Sequence, residues 1–139
     1  MRVTLIQCTN SKRDSQCKAA AMYDESEYYK KMRRFAKAKG NEWYILSAKH
    51  GLLYPDKIIE PYDSYGLSDT QAAEIATELS DKGVSEVEII AGKKYTDPLT
   101  PELERMGIDV IEHCRGMMIG ERMKELNTLV DNMEHDTLC

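Results

Sequence analysis

Apolar positions along the chain follow two alternating patterns. Val3-Thr4-Leu5-Ile6-Gln7, Trp43-Tyr44-Ile45-Leu46, Val87-Glu88-Ile89-Ile90-Ala91 and Asp109-Val110-Ile111 are short runs rich in β-branched and aromatic residues, and they predict strands. Between them the period lengthens. Tyr28, Tyr29, Met32, Phe35 and Ala36 share one face of a helix that Ser26 opens and Gly40 stops. Ser68-Asp69-Thr70-Gln71 is a capping box. The helix it opens buries Ala72, Ile75, Ala76 and Leu79, and Gly83 ends it. Thr100-Pro101-Glu102 predicts a short helix with proline at its first position, closed by Gly107. Ile119, Met123, Leu126, Val130 and Met133 form an apolar stripe on a last helix, over 116–133.

Strands thus alternate with helices. That order predicts one three-layer α/β/α domain, Rossmann-like, with a mostly parallel sheet of about four strands. The domain is expected over residues 1–133, with 134–139 as a flexible tail. Residues 8–25 and 48–67 read as loops. The second is long for a compact domain, and such loops are often functional.

Composition narrows the function classes. The 139 residues are 42% apolar and carry a net charge of −5, which argues against binding nucleic acid through overall charge but leaves room for a local cleft. Basic residues crowd the start of the chain, among them Lys12, Arg13, Lys30, Arg34 and Lys37. No apolar run approaches the roughly 18 residues of a membrane span, and the first residues lack a signal-peptide pattern. A cytoplasmic protein without membrane contact is expected. Cys8, Cys17, Cys114 and Cys139 have no metal-ligand spacing, so they are read as thiols, with no metal site. Neither G-x-G-x-x-G nor G-x-x-x-x-G-K-[ST] occurs, and no cofactor is expected.

Candidate chemistry gathers where strands end, the edge at which open α/β sheets bind ligands. After strand one come Cys8, Thr9, Asn10, Ser11 and Lys12; after strand two come Ser47, Lys49, His50 and Gly51. Ser11, Lys12, Ser47, Lys49 and His50 are expected to line one pocket. The alternative is that the serines are caps or turn residues and the lysines are solvated. His50 is a candidate acid or base near neutral pH, or else a hydrogen-bonded structural histidine. Cys8 is a candidate nucleophile if a cation lowers its pKa, or a wall of the site; a small buried residue is the commoner role. Tyr62 and Asp63 follow Pro61. Together they can stack a base and bond its edge, or Tyr62 can cover the core. Tyr95 is a weaker candidate of the same kind. His113 and Arg115 follow strand four, and Arg115 can hold an anion bidentately. Gly116 and Gly120 flank the last helix start, allowing close packing or admitting a ligand to a helix N-terminus. His135 is expected to be idle.

The same segments carry a resemblance. Cys8-Thr9-Asn10-Ser11-Lys12, Tyr23-Asp24-Glu25-Ser26, Ile45 to Leu52, Pro61-Tyr62 and Gly116 to Gly120 resemble the motifs of the DUF6884 family across nearly the full chain. That family is distantly similar to the YaaA peroxide-stress proteins and to a domain of archaeosine synthase, and through them to the uracil-DNA glycosylase-like fold. The resemblance implies a nucleobase- or nucleic-acid-related role and names no reaction. The leading expectation is an enzyme acting on a nucleotide, nucleobase or nucleic acid at an N-glycosidic bond or modified base. In it His50, Asp63 and Cys8 are catalytic, Tyr62 stacks the base, and Lys12, Lys49 and Arg115 hold phosphate. The rival is a binding module for a nucleotide, modified base or phosphorylated ligand. A third reading is a partner-binding protein using the last helix.

Overall fold

The structure is a computed structural model that describes the backbone of residues 1–138 and the side chains of residues 1–134. Its strands are β1 (Arg2–Gln7), β2 (Cys17–Lys18), β3 (Glu42–Ser47), β4 (Gly51–Leu53), β5 (Ile58–Ile59), β6 (Glu86–Ile90) and β7 (Asp109–Glu112). Its helices are α1 (Ala19–Met22), α2 (Glu27–Lys39), α3 (Asp69–Asp81), α4 (Lys93–Arg105) and α5 (Ile119–Leu138). Five strands form a mostly parallel sheet in the order β4-β3-β1-β6-β7.

β1 lies at the centre, pairing Leu5 with Tyr44 on one side and with Ile89 on the other. Every residue from Val3 to Cys8 is buried. Burial without alternation means that both sheet faces are covered. Helices α2 and α5 pack together, as do α3 and α4. From β1 the chain crosses through α2 to β3, then returns through α3 to β6 on the far side of β1. The direction of winding therefore reverses between β1 and β6. In open α/β sheets such a reversal leaves a crevice beyond the strand ends.

Local signals set most boundaries. Ser26 accepts a hydrogen bond from the Tyr29 N–H, and Gly40 closes α2 with a left-handed backbone. Both halves of the Ser68/Gln71 capping box are formed. Other expectations need correction. The sheet has five strands rather than four, because Ser47 to Gly51 is a hairpin. Ser47 pairs with Gly51 across a three-residue loop, making β4 antiparallel to β3. Gly51 takes φ +70°, the left-handed residue that such a hairpin loop needs. Residues 8–25 and 48–67 also contribute the small sheet of β2 and β5 and the short α1.

The helix assigned to Thr100 starts seven residues earlier, at Lys93, and contains Pro98 and Pro101. A proline inside a helix leaves the carbonyl four residues back without its donor. For Pro98 that carbonyl belongs to Lys94, and it accepts a hydrogen bond from the Leu67 N–H at 3.0 Å. The proline thus anchors a loop instead of breaking a helix. The last helix begins at Ile119 rather than at Gly116, after a turn in which Cys114 and Gly116 both have positive φ. Its backbone continues to Leu138. The side chains of 135–138, and Cys139, lie outside the described residues, and with them the readings made for His135 and Cys139. Among the described residues no helix is long and apolar enough to cross a membrane.

Candidate functional site

Side chains at the carboxyl edge of the sheet divide into two neighbouring regions. The first is a closed cluster beside the ends of β1 and β3. Tyr62 is at its centre. Its hydroxyl lies 2.6 Å from the Tyr23 hydroxyl and accepts from Ser47 Oγ at 2.8 Å. Lys12 Nζ lies 4.6 Å from the centre of the Tyr62 ring, and the His50 ring meets that ring edge-on at 5.4 Å. Ser47 is fully buried, and its oxygen also accepts the N–H groups of Lys49 and His50. Cys8 is buried, with Sγ 3.3 Å from the Tyr95 hydroxyl. Burial raises the pKa values of Tyr23, Tyr62 and Tyr95 well above the usual phenol value, so these hydroxyls stay neutral donors. Burial, followed by the charges of Lys57 and Lys49, lowers the pKa of His50. Its Nε2 is buried without a hydrogen-bond partner.

The second region is an open cleft at the crevice between β1 and β6. Gln7, the last residue of β1, bridges it: its Oε1 accepts the Gly92 N–H at 2.7 Å and its Nε2 donates to the Cys8 carbonyl at 3.2 Å. The cleft has two lobes of about 470 and 480 Å³ that share Gln7, Tyr28, Tyr65 and Ile119. These volumes suit a small-molecule site. One lobe adds Gly92, Met117, Met118, Gly120 and Arg122; the other adds Thr9, Asn10, Ser11, Glu25, Ser26, Glu27 and Met123.

Three helix starts face the cleft: Ser26 caps α2, Gly92 caps α4, and Ile119 and Gly120 open α5. Helix N-termini carry partial positive charge. Arg122 adds a full one. It is only 7% exposed, its Nε donates to the Met117 carbonyl at 2.8 Å, and its Nη1 donates to the Tyr28 hydroxyl at 3.2 Å. Among the described residues, no carboxylate forms an ion pair with it. Burial of the Tyr28 hydroxyl raises its pKa, and Arg122 opposes that rise.

Tyr65, 57% exposed, flanks the mouth with its ring edge-on to Tyr95 at 5.5 Å. Its position follows from the loop anchored on α4. Gly66 has φ +84°, and a Cβ there would lie 3.3 Å from Lys94 Cβ and 3.4 Å from the Lys94 carbonyl oxygen. Only glycine fits that approach.

The expected site residues are therefore distributed between these regions and the surface. Thr9, Asn10, Ser11 and Gly120 line the cleft. Cys8, Lys12, Ser47, His50 and Tyr62 belong to the closed cluster. The single pocket expected for Ser11, Lys12, Ser47, Lys49 and His50 is thus divided, because Ser47 is consumed by the hairpin turn and Tyr62 covers it. Lys49 and Asp63 are exposed, and exposed Arg115 pairs with Glu112 at 2.8 Å. Gly51 serves the hairpin, and Gly116 lies in the turn before α5. His113 bonds buried Glu88 at 3.0 Å, with Lys39 3.1 Å away. Burial pushes the Glu88 carboxyl up, but His113 and Lys39 outweigh it and hold it below its ordinary value.

Three of the basic side chains of α2 are also engaged in ion pairs. Lys30 pairs with Glu27, Arg33 with Asp24, and Arg34 with Asp131 and Glu134. Sequence reasoning missed Gln7, Glu25, Tyr28, Tyr65, Gly92 and Arg122 as lining residues. Arg122 had a signal: it stands three residues after Ile119 and four before Leu126, a charge within the apolar stripe of α5. Among the described residues, no group of three or more His, Cys, Asp or Glu is placed to hold a metal ion.

The fold and this crevice define an α/β domain with a candidate ligand cleft at its winding reversal. The chain belongs to the family of unknown function DUF6884, which matches residues 3–128. It is also similar to "Uncharacterized protein YfjM" of Bacillus subtilis (strain 168), with 37% identity over 82 residues. That match covers 53% of this chain and 55% of the relative, so the chain spans about half the length of the curated protein it matches. No solved structure matches the chain.

Proposed function

We propose that this domain binds a nucleotide or a comparable phosphorylated aromatic ligand in the cleft between β1 and β6. The buried guanidinium of Arg122, without an ion-paired carboxylate among the described residues, carries this reading. A buried charge without a counterion is costly, and an anionic ligand would neutralise it. The α4 and α5 N-termini beside it favour the same charge. Exposed Tyr65 offers a flat face for a base. The resemblance to nucleobase-handling proteins of the uracil-DNA glycosylase-like group supports the same ligand class.

A second reading, an enzyme acting at an N-glycosidic bond, is favoured by Glu25, a carboxylate on the wall of the same cleft. Such a group can activate water or stabilise a developing positive charge on the sugar. Calorimetric titration with nucleoside 5′-monophosphates tests binding in wild type and Arg122→Met. We expect measurable binding that weakens about 10- to 100-fold in the variant, the range of a lost charge-assisted hydrogen bond. Equal affinities would remove the cleft reading. Release of free base during the titration would favour the enzyme.

A further inference from the structure

The two lobes of the cleft carry opposite charge, and this limits what can occupy both. One holds Arg122 with the α5 start; the other is lined by the carboxylates Glu25 and Glu27. Lys30 pairs with Glu27 at 2.7 Å and holds its carboxyl below the usual value. Among the described residues Glu25 has no ion-pair or hydrogen-bond partner. Its charge is therefore the one least compensated at that end. Between the ends lie Tyr28, Tyr65 and Ile119, shared by both lobes.

We infer that the cleft takes a small ligand with one anionic end, such as a mononucleotide, whose opposite end presents hydrogen-bond donors or positive charge, and that it excludes a segment of nucleic-acid strand. This rests on the ligand reading above and specifies its class. A strand carries a phosphate on both sides of every internal nucleoside. Seating one phosphate at Arg122 would bring another toward Glu25, where like charges repel and Lys30 is already paired with Glu27. The net charge of −5 adds a repulsive field for any polyanion. Arg34, on the outer face of α2, is already paired with Asp131 and Glu134.

Binding of three probes decides the matter: adenosine 5′-monophosphate, adenosine 3′,5′-bisphosphate and a five-nucleotide oligoadenylate. Each is titrated at low salt against wild type, Arg122→Met, Glu25→Gln and Glu25→Lys. The monophosphate should bind roughly tenfold more tightly than the bisphosphate, the scale of one like-charge contact largely screened by water. The oligoadenylate should be weaker still. Glu25→Gln should narrow the gap, and Glu25→Lys should reverse it while leaving monophosphate binding dependent on Arg122. Arg122-dependent binding in which the bisphosphate or oligoadenylate equals the monophosphate would overturn this inference and leave the ligand reading standing. A gap unchanged by both Glu25 variants would also overturn it. No Arg122-dependent binding of any probe would overturn both.

Discussion

The closed cluster and the open cleft share one edge of one sheet, yet their polar groups are treated in opposite ways. In the cluster, the Tyr62 hydroxyl bonds Tyr23 and Ser47, Ser47 holds two backbone N–H groups, and Cys8 meets Tyr95. In the cleft, Arg122 is buried but has only neutral partners. Ser47, Tyr62 and Cys8 are thus hydrogen-bonded within the cluster, where His50 Nε2 alone among its named groups lacks a partner, while in the cleft an arginine within an apolar stripe has no ion-paired carboxylate among the described residues. Satisfaction of hydrogen-bonding and charge, more than residue type, separates support from site.

Four measurements test this contrast. Ser47→Ala should have the largest effect, because it removes the acceptor of two part-buried N–H groups and one of the two partners of the Tyr62 hydroxyl. A loss of about 2–4 kcal/mol in urea-unfolding stability is expected. A near-neutral result would mean that the cluster does not support the fold. Arg122→Met should do the reverse, changing stability by less than about 1 kcal/mol because removal of a costly unpaired charge offsets the hydrogen bonds lost by Tyr28 and Met117, while abolishing most phosphate affinity. A large stability loss without any binding change would make Arg122 another structural group.

Tyr65→Ala comes next. The ring is more than half exposed, so the melting temperature should hold, while base-containing ligands lose about 1 kcal/mol or more of stacking. Inorganic phosphate should be unaffected, which separates stacking from general damage to the cleft. The smallest effect concerns His50. Its pKa is lowered in the folded chain by burial and then by Lys57 and Lys49. The unfolded chain therefore takes up the proton first as pH falls. The contribution from neutral His50 is complete above the ordinary value of about 6.5 and is lost as pH falls through the folded-state value. His50→Phe should flatten this part of the stability–pH curve, and an unchanged curve would show that the imidazole is not titrating there.

The comparison also shows what was legible from residues alone. The α2 and α3 caps depend on neighbours three residues apart, and both were readable. So were the central strands, from short runs rich in β-branched residues. The Ser47–Gly51 hairpin carried a turn signal in its glycine, but its lysine and histidine read as chemistry. Thr100-Pro101 matched a helix start because the preference of proline for a first turn is local. What lets Pro98 lie inside α4 is the Leu67 N–H, reached only through the folded loop.

The succession of strands and helices, the two well-formed caps and the family follow from residues near one another or from motifs kept in order. The tertiary structure decided the strand order, and with it where winding reverses. It brought Gln7 to Gly92 across 85 positions and Tyr28 to Arg122 across 94. It also determined which polar groups found partners. That last distinction depends on distances between segments remote in the chain, and hydrogen bonding and desolvation act on those distances whatever the spacing in sequence.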